Sequence, residues 1–281
     1  MSEAILRWLS RRPLRTLHAM GSLLGWLAWA LSPSYRARLH VNAALAGVTP
    51  AARRASVAEA GRMVMELPRL WLRPAHQPIE DPVRWEGAEH VEAALGRPGG
   101  IMLLTPHMGC FEMAAQGYAE RFGARQPLTV LYRPARQAWL RQLEEAARAR
   151  PHLATAPATL AGVRQLLRAL KRGETVGLLP DQVPPHGQGV WAPFFGQPAY
   201  TMTLAARLAA QTGACVLLLW CERLARGAGF VVRVQPLGAE LPEGDEAAAA
   251  LLNTAMERLI GQHPSQYLWG YHRYKSPRGA A

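Results

Sequence analysis

His107 and Glu112, five positions apart at the end of the apolar run Ile101-Met-Leu-Leu104, are the residues best placed for chemistry in this chain of 281. Side chains five positions apart on a regular helix diverge by about 140°, so this pair converges only at a turn. Pro106 favours an extended Thr105, and Gly109 permits a tight bend. His107 is therefore expected at a strand end, with Glu112 in the first turn of the following helix. A helix N-terminus disfavours positive charge and keeps an imidazole neutral and able to accept a proton. A carboxylate on the other ring nitrogen orients the ring and stabilises the imidazolium that forms. The N–H groups of the same turn are candidates to face a developing oxyanion. A hydrogen-bonded structural histidine has the same local sequence, so spacing alone leaves both readings open.

The elements that position this pair read as an α/β domain. Short apolar runs at 100–104, 128–132, 175–179, 215–220 and 230–234 have strand character. They alternate with helical stretches at about 108–121, 136–149, 159–172 and 201–212, of which the last two end at Gly173 and Gly213. This alternation predicts a mixed, mainly parallel central sheet flanked by helices. Thr201 is expected to cap its helix, and a final amphipathic helix covers 243–262. Upstream, helices are expected after Ser34 and from Pro50, the second kinked or ended by Pro68 and serving as scaffold. No linker divides the chain, so residues 33–281 read as one domain.

Residues 1–32 differ in character. Arg7, Arg11, Arg12 and Arg15 precede a 15-residue apolar run, Leu17 to Leu31, that contains Trp26 and Trp29. As a helix the run is about 22 Å long, against a hydrocarbon core of about 30 Å. It is expected to anchor the protein to a membrane, either spanning with extra turns or lying in the interface, with its arginines beside anionic cytoplasmic headgroups. A signal peptide and a buried amphipathic helix share this layout. Arg15 interrupts the twin-arginine-like Ser10-Arg-Arg-Pro-Leu14 where apolar residues would follow.

The formal charge of +12 suits an anionic membrane, a phosphorylated substrate or an acidic carrier protein. Arginine supplies 30 of the 32 basic residues, and no nucleic-acid-binding module is recognisable. Cys110, Cys215 and Cys221 form no Cys-x-x-Cys pair and read as reduced thiols. The histidines show no zinc-like spacing, so no metal is expected.

Several motifs give these elements a common meaning: the strand with His107-Met-Gly-Cys-Phe-Glu112, then Tyr132-Arg-Pro134, Leu178-Leu-Pro-Asp-Gln182 and Pro193-Phe-Phe-Gly196. Gln266-Tyr-Leu-Trp269 and His272-Arg-Tyr-Lys275 follow near the C-terminus. In order and spacing the chain resembles the late acyltransferases of lipid A biosynthesis, the lauroyl and myristoyl transferases. These belong with the wider glycerolipid acyltransferases that share a His, four residues, Asp/Glu motif. The resemblance implies that His107 is the general base and Glu112 its partner, and that an acceptor hydroxyl attacks an acyl thioester directly. It further implies that Arg133 and Arg148 face substrate phosphate or site charge, with Arg150 a near competitor, and that Asp181 serves the acceptor side. A planar guanidinium suits a phosphate because it binds bidentately. Solvated helix arginines and an exposed turn aspartate would look the same, and for Arg150 the solvated face is the preferred reading.

The expected donor is acyl carrier protein, or coenzyme A as the alternative, with no cofactor. The expected acceptor is a phosphorylated glycolipid, a lipid A precursor, at the bacterial inner membrane, with the catalytic domain facing the cytoplasm. A phosphatidylinositol mannoside or a glycerol phosphate is an alternative acceptor, and a noncatalytic lipid-binding protein is the reading from another class. Cys110 and Phe111 depart from the Asn-Trp of many family members, and Gln137 from their Asn. Cys110 also raises a covalent route through an acyl-cysteine, against which stands a small residue packing the helix start. The aromatics of 189–196 are a hypothetical acyl-chain lining, and Trp269 to Lys275 a basic segment expected to return to the site.

Overall fold

The structure, a computed structural model, describes residues 3–134, 137, 141, 143, 144, 147, 150–277 and 279. The helix expected at 136–149 therefore lies largely outside the described residues. Four helices come first, α1 (Glu3–Ser10), α2 (Leu14–Leu31), α3 (Pro33–Leu45) and α4 (Pro50–Trp71). The α/β part follows with β1 (Val83–Glu86), α5 (Ala88–Ala94), β2 (Ile101–Leu104), α6 (Phe111–Arg121), β3 (Leu128–Tyr132) and β4 (Leu153–Pro157). It continues with α7 (Leu160–Lys171), β5 (Thr175–Leu178), a hairpin of β6 (Gly189–Phe194) and β7 (Gln197–Met202), and α8 (Leu204–Thr212). β8 (Cys215–Arg223), β9 (Phe230–Pro236) and α9 (Asp245–Gln262) complete it.

Seven strands form one sheet in the order β1-β9-β8-β2-β5-β3-β4. Every pairing is parallel except β8 with β9, so the sheet is mixed and mainly parallel, as its sequence pattern predicts. β2 and β5 are buried along their whole length because helices cover both faces of the sheet centre. One apolar cluster joins α7, α8 and α9 to one face, and a second joins α5 and α6 to the other. Thr201 is not a helix cap. It lies buried in β7, where its hydroxyl donates to the Ala199 carbonyl, and α8 begins three residues later. Pro68 does not end α4, which runs on to Trp71.

Residues 14–31 are a helix, but none among the described residues is long and apolar enough to cross a membrane. α2 instead packs along α4 through the buried stripe Leu14, Leu17, His18, Gly21 and Gly25. The two backbones touch. A Cβ built on Gly61 would lie 2.0 Å from the Gly21 carbonyl oxygen, and one on Gly25 would lie 2.1 Å from that of Val57. The opposite face of α2 leaves Leu23 and Leu31 more than 70% exposed, with Leu27 and Trp26 beside them.

This contact sets opposite signs for the same substitution at two helical glycines. Gly117, in α6, has room for a methyl group, whose nearest neighbour would be Trp85 at 3.6 Å. Gly117→Ala is expected to stabilise by up to about 1 kcal/mol through helix propensity. Gly61→Ala is expected to lower the thermal midpoint by several degrees, because the backbones of α2 and α4 must separate. Thermal unfolding followed by circular dichroism checks both, and a stabilised Gly61→Ala would contradict the close packing.

Candidate active site

In-register pairing of two strands assembles the site. β2 and β5 are adjacent and parallel with Leu104 opposite Leu178, and each chain then leaves the same edge of the sheet. His107 stands three residues beyond Leu104 and Asp181 three beyond Leu178, so residues 74 apart in sequence meet. Asp181 Oδ1 lies 2.7 Å from His107 Nδ1, and its Oδ2 accepts the His107 backbone N–H at 2.9 Å. A carboxylate engaged in this way fixes both the turn and the ring. Such edges at strand C-termini are the usual location of sites in open α/β sheets.

Asp181 is buried, which by itself raises its carboxyl. The charge of His107 and its two hydrogen bonds, helped by Arg273, outweigh this and hold the group below the ordinary carboxylate range. Tyr267 lies beside it, and its phenol is pushed well above its usual value by burial and by the Asp181 charge. His107 Nε2 has no hydrogen-bond partner among the described residues. The ring is partly open to solvent and packs edge to face on Phe111, centroids 5.3 Å apart.

The turn that carries His107 is clamped from two sides. Gly109 takes φ +59°, and a Cβ there would fall 2.0 Å from the Cys221 carbonyl oxygen on β8, so glycine is required. Gly109 N–H donates to the Gln266 carbonyl, Cys110 N–H to the Cys221 carbonyl and Leu268 N–H to the His107 carbonyl. Gln266 and Leu268 thus bring the C-terminal chain to this turn, and within the segment 269–275 the Tyr271 hydroxyl accepts the Val183 N–H, 3.0 Å away in the Asp181 loop. With Met108 N–H on the Pro106 carbonyl, the N–H groups of Met108, Gly109 and Cys110 are all committed within the protein, so any of this turn's N–H groups that face an oxyanion belong to the first residues of α6.

A buried ionic cluster lies beneath the turn. Arg223 binds Glu66 through two hydrogen bonds, of 2.5 and 2.6 Å, reaches Glu59 at 2.8 Å and donates to the Gly109 carbonyl at 3.1 Å. His18 Nε2 lies 2.7 Å from Glu66. α2, α4, β8 and the histidine turn are thereby tied at one point. Glu66 is raised by burial but lowered further by Arg223 and His18, with a net value below the ordinary range.

The other anticipated residues fall in different places. Glu112 is buried in the first turn of α6, as expected, but the Nδ1 of His107 is held by Asp181. Glu112 is close enough to Arg150 for its charge to favour that guanidinium. Arg150 is not on a solvated face: it is 8% exposed and donates to the carbonyls of Leu70, Arg73 and Pro74. Arg133 is exposed just beyond β3, which pairs with β5, and so stands at the same sheet edge as the site. It forms no hydrogen bond or ion pair with a described residue. Arg148 lies outside the described residues.

Cys110 is buried, and burial together with the charge of Glu66 drives its thiol well above the ordinary value, the opposite of an activated thiolate. Phe194 is in the core, where Phe195 packs on it and on Trp269. The cavity beside them measures about 10 Å³, room for one water and not for an acyl chain. Arg273, which sequence reading left as part of a basic segment, is buried and binds the Tyr200 carbonyl and the Thr201 hydroxyl. Its only signal in the sequence was its place in the His272-Arg-Tyr-Lys275 motif.

Just past the central strand β2 of this mainly parallel sheet stands a histidine held by a buried carboxylate, its other ring nitrogen without a hydrogen-bond partner among the described residues, an arrangement able to accept a proton. The chain belongs to the bacterial lipid A biosynthesis acyltransferase family, which matches residues 2–276, and is an acyltransferase. It is 28% identical over 225 residues to the lipid A biosynthesis lauroyltransferase of Escherichia coli (strain K12), covering 78% of this chain and 70% of that protein. It is 27% identical over 192 residues to the lipid A biosynthesis palmitoleoyltransferase of the same strain, covering 68% and 61%. A phosphatidylinositol mannoside acyltransferase of Mycobacterium tuberculosis (strain CDC 1551 / Oshkosh) is 28% identical over 187 residues, covering 64% and 56%.

Proposed function

We propose that the protein transfers a fatty acyl group from an acyl carrier protein thioester to a hydroxyl of a lipid A precursor, with His107 as general base. The observation that carries this reading is the His107–Asp181 pair with Nε2 left for substrate. Nε2 takes the proton of the acceptor hydroxyl as its oxygen attacks the thioester carbonyl. The tetrahedral intermediate then collapses, the C–S bond breaks, and the imidazolium returns the proton to the leaving thiolate. Asp181 orients the ring and stabilises its charged form. Glu112 acts from the first turn of α6 as counter-charge to the buried Arg150, holding that helix against the end of α4. Arg133, exposed at the same edge, is assigned to a phosphate of the acceptor, and Arg148 keeps its expected role beside it. An acidic carrier protein suits the +12 charge better than coenzyme A does.

The reaction is placed at the cytoplasmic face of the bacterial inner membrane. Support comes from the exposed apolar side chains Ile5, Trp8, Leu23, Leu27 and Leu31 on α1 and α2, beside Arg7, Arg11, Arg12 and Arg15. That composition suits helices lying in the headgroup region. Purified protein given a lipid A precursor and acyl carrier protein carrying a labelled acyl group is expected to form an acylated lipid, read by mass spectrometry. Transfer to phosphatidylinositol mannoside or glycerol phosphate in its place would reassign the acceptor. No transfer to any of the three would favour a noncatalytic lipid-binding protein.

A further inference from the structure

A cavity of about 580 Å³ opens between α1, the end of α4 and the segment that follows it. Arg7, Arg11, Arg69 and Arg73 line it, with Glu80 and Asp81 as the acidic residues of its wall. Asp81 is already taken by Arg69, through bonds of 2.7 and 3.0 Å. Glu80 is mostly exposed and lies 3.8 Å from the same guanidinium. Arg73 is less well neutralised. It donates to the Gln77 carbonyl and to Gln116 Oε1, its nearest carboxylate is Glu120 at 3.9 Å, and its Nε is buried without a partner among the described residues.

Arg150 packs behind this wall, bound to the Leu70, Arg73 and Pro74 carbonyls, and its Nε is likewise buried and unpartnered among the described residues. Burial and the neighbouring Arg73 charge push Arg150 down to about 10. Two half-neutralised guanidiniums side by side in a low-dielectric wall repel each other, and an anion in the cavity relieves that repulsion. Arginine forks suit phosphate oxygens in particular. The cavity adjoins α1, whose outer face exposes Ile5 and Trp8, so a bilayer that takes up that face would hold the cavity at the level of its headgroups.

We propose that this cavity binds the phosphate group of a membrane lipid, at a second site apart from the His107 turn. The lipid is either the phosphorylated acyl acceptor or a neighbouring anionic phospholipid. Both alternatives rest on the membrane seating of α1 and α2 proposed above, and only the acceptor alternative rests also on the proposed acyl transfer.

The test uses the full chain in detergent, wild type beside Arg11→Gln and Arg11→Gln/Arg73→Gln, with inorganic pyrophosphate as probe. Pyrophosphate is expected to raise the thermal midpoint of the wild type, less that of the single variant, and not that of the double variant. An equal shift in all three, or none in the wild type, overturns the proposal. The surface position of Arg11 keeps the comparison informative if the double variant does not fold. With the phosphorylated acceptor, a KM raised about ten-fold with a much smaller change in kcat assigns the site to the acceptor. An unchanged KM together with weaker binding to phosphatidylglycerol vesicles assigns it to a neighbouring lipid. If the wild type acylates nothing, the proposed function fails, while the pyrophosphate comparison still decides this site.

Discussion

His107→Ala is expected to lower kcat for acyl transfer by about 10²–10⁴-fold, the usual worth of a positioned general base, and to lower the thermal midpoint as well, because it leaves the buried Asp181 carboxylate without the imidazole. Asp181→Asn is expected to cost nearly as much. The amide still fits between the ring and the His107 backbone N–H, but it no longer stabilises an imidazolium. The two losses should not add, since both residues act through one proton transfer. Cys110→Ala is expected to retain most activity, because a thiol raised by burial is no nucleophile. Glu112→Ala should lose activity together with stability, as it strips Arg150 of a counter-charge. Single-turnover acylation assays alongside thermal melts separate these cases. A fully active Asp181→Asn would refute the role assigned to that pair, and an acyl-protein adduct lost in Cys110→Ala together with activity would establish the covalent route.

The largest loss of stability is expected from Arg223→Met. Removing the guanidinium leaves Glu66 and the Gly109 carbonyl buried without their main partner, and breaking a buried pair in this way costs about 3–5 kcal/mol. Adding Glu66→Leu to Arg223→Met should recover most of that loss, since two apolar groups need no counter-charge. The recovered protein is still expected to be a poorer catalyst, because nothing then holds the Gly109 carbonyl and the turn bearing His107. The sign of the pH effect follows from the lowered carboxylates. Glu66 and Asp181 both lie below their ordinary range in the folded protein, so near pH 4 the unfolded chain binds more protons. The stability they contribute is complete above the ordinary carboxylate range and is lost as pH falls through their folded values. Denaturant midpoints between about pH 3 and 7 should therefore fall more steeply with acid for wild type than for the double variant. Equal slopes would mean that Glu66 is not held ionised by this cluster.

Much of this architecture was legible locally. Apolar runs next to glycine marked β2, β5, β8 and β9, and one between Pro127 and Pro134 marked β3. Helical spacing marked the segments around them, and the His107-to-Glu112 turn was visible from Pro106 and Gly109. These features depend on near neighbours in sequence, where steric and periodic rules act directly. β4 and the β6–β7 hairpin were less evident. β4 carries alanines and an exposed edge, while of the hairpin's aromatics Phe194 and Tyr200 pack into the core and Trp191 stays half exposed.

The partner of His107 depended on long-range pairing. Within the sequence Glu112 was the nearby carboxylate, and Asp181 was only a turn residue 74 positions away. Sheet order places β5 against β2, and their register brings the two residues equally far past the same edge, so tertiary structure decided which carboxylate takes Nδ1. The same holds for Arg150, read locally as a solvated arginine and buried because three carbonyls at the end of α4 converge on it. For residues 14–31 the sequence determined an apolar helix with basic flanks. Its docking followed from Gly21, Gly25 and Gly61, which let two backbones touch, and from His18 reaching Glu66. A helix shows its periodicity from within, whereas the surface it buries depends on what the rest of the chain brings to meet it.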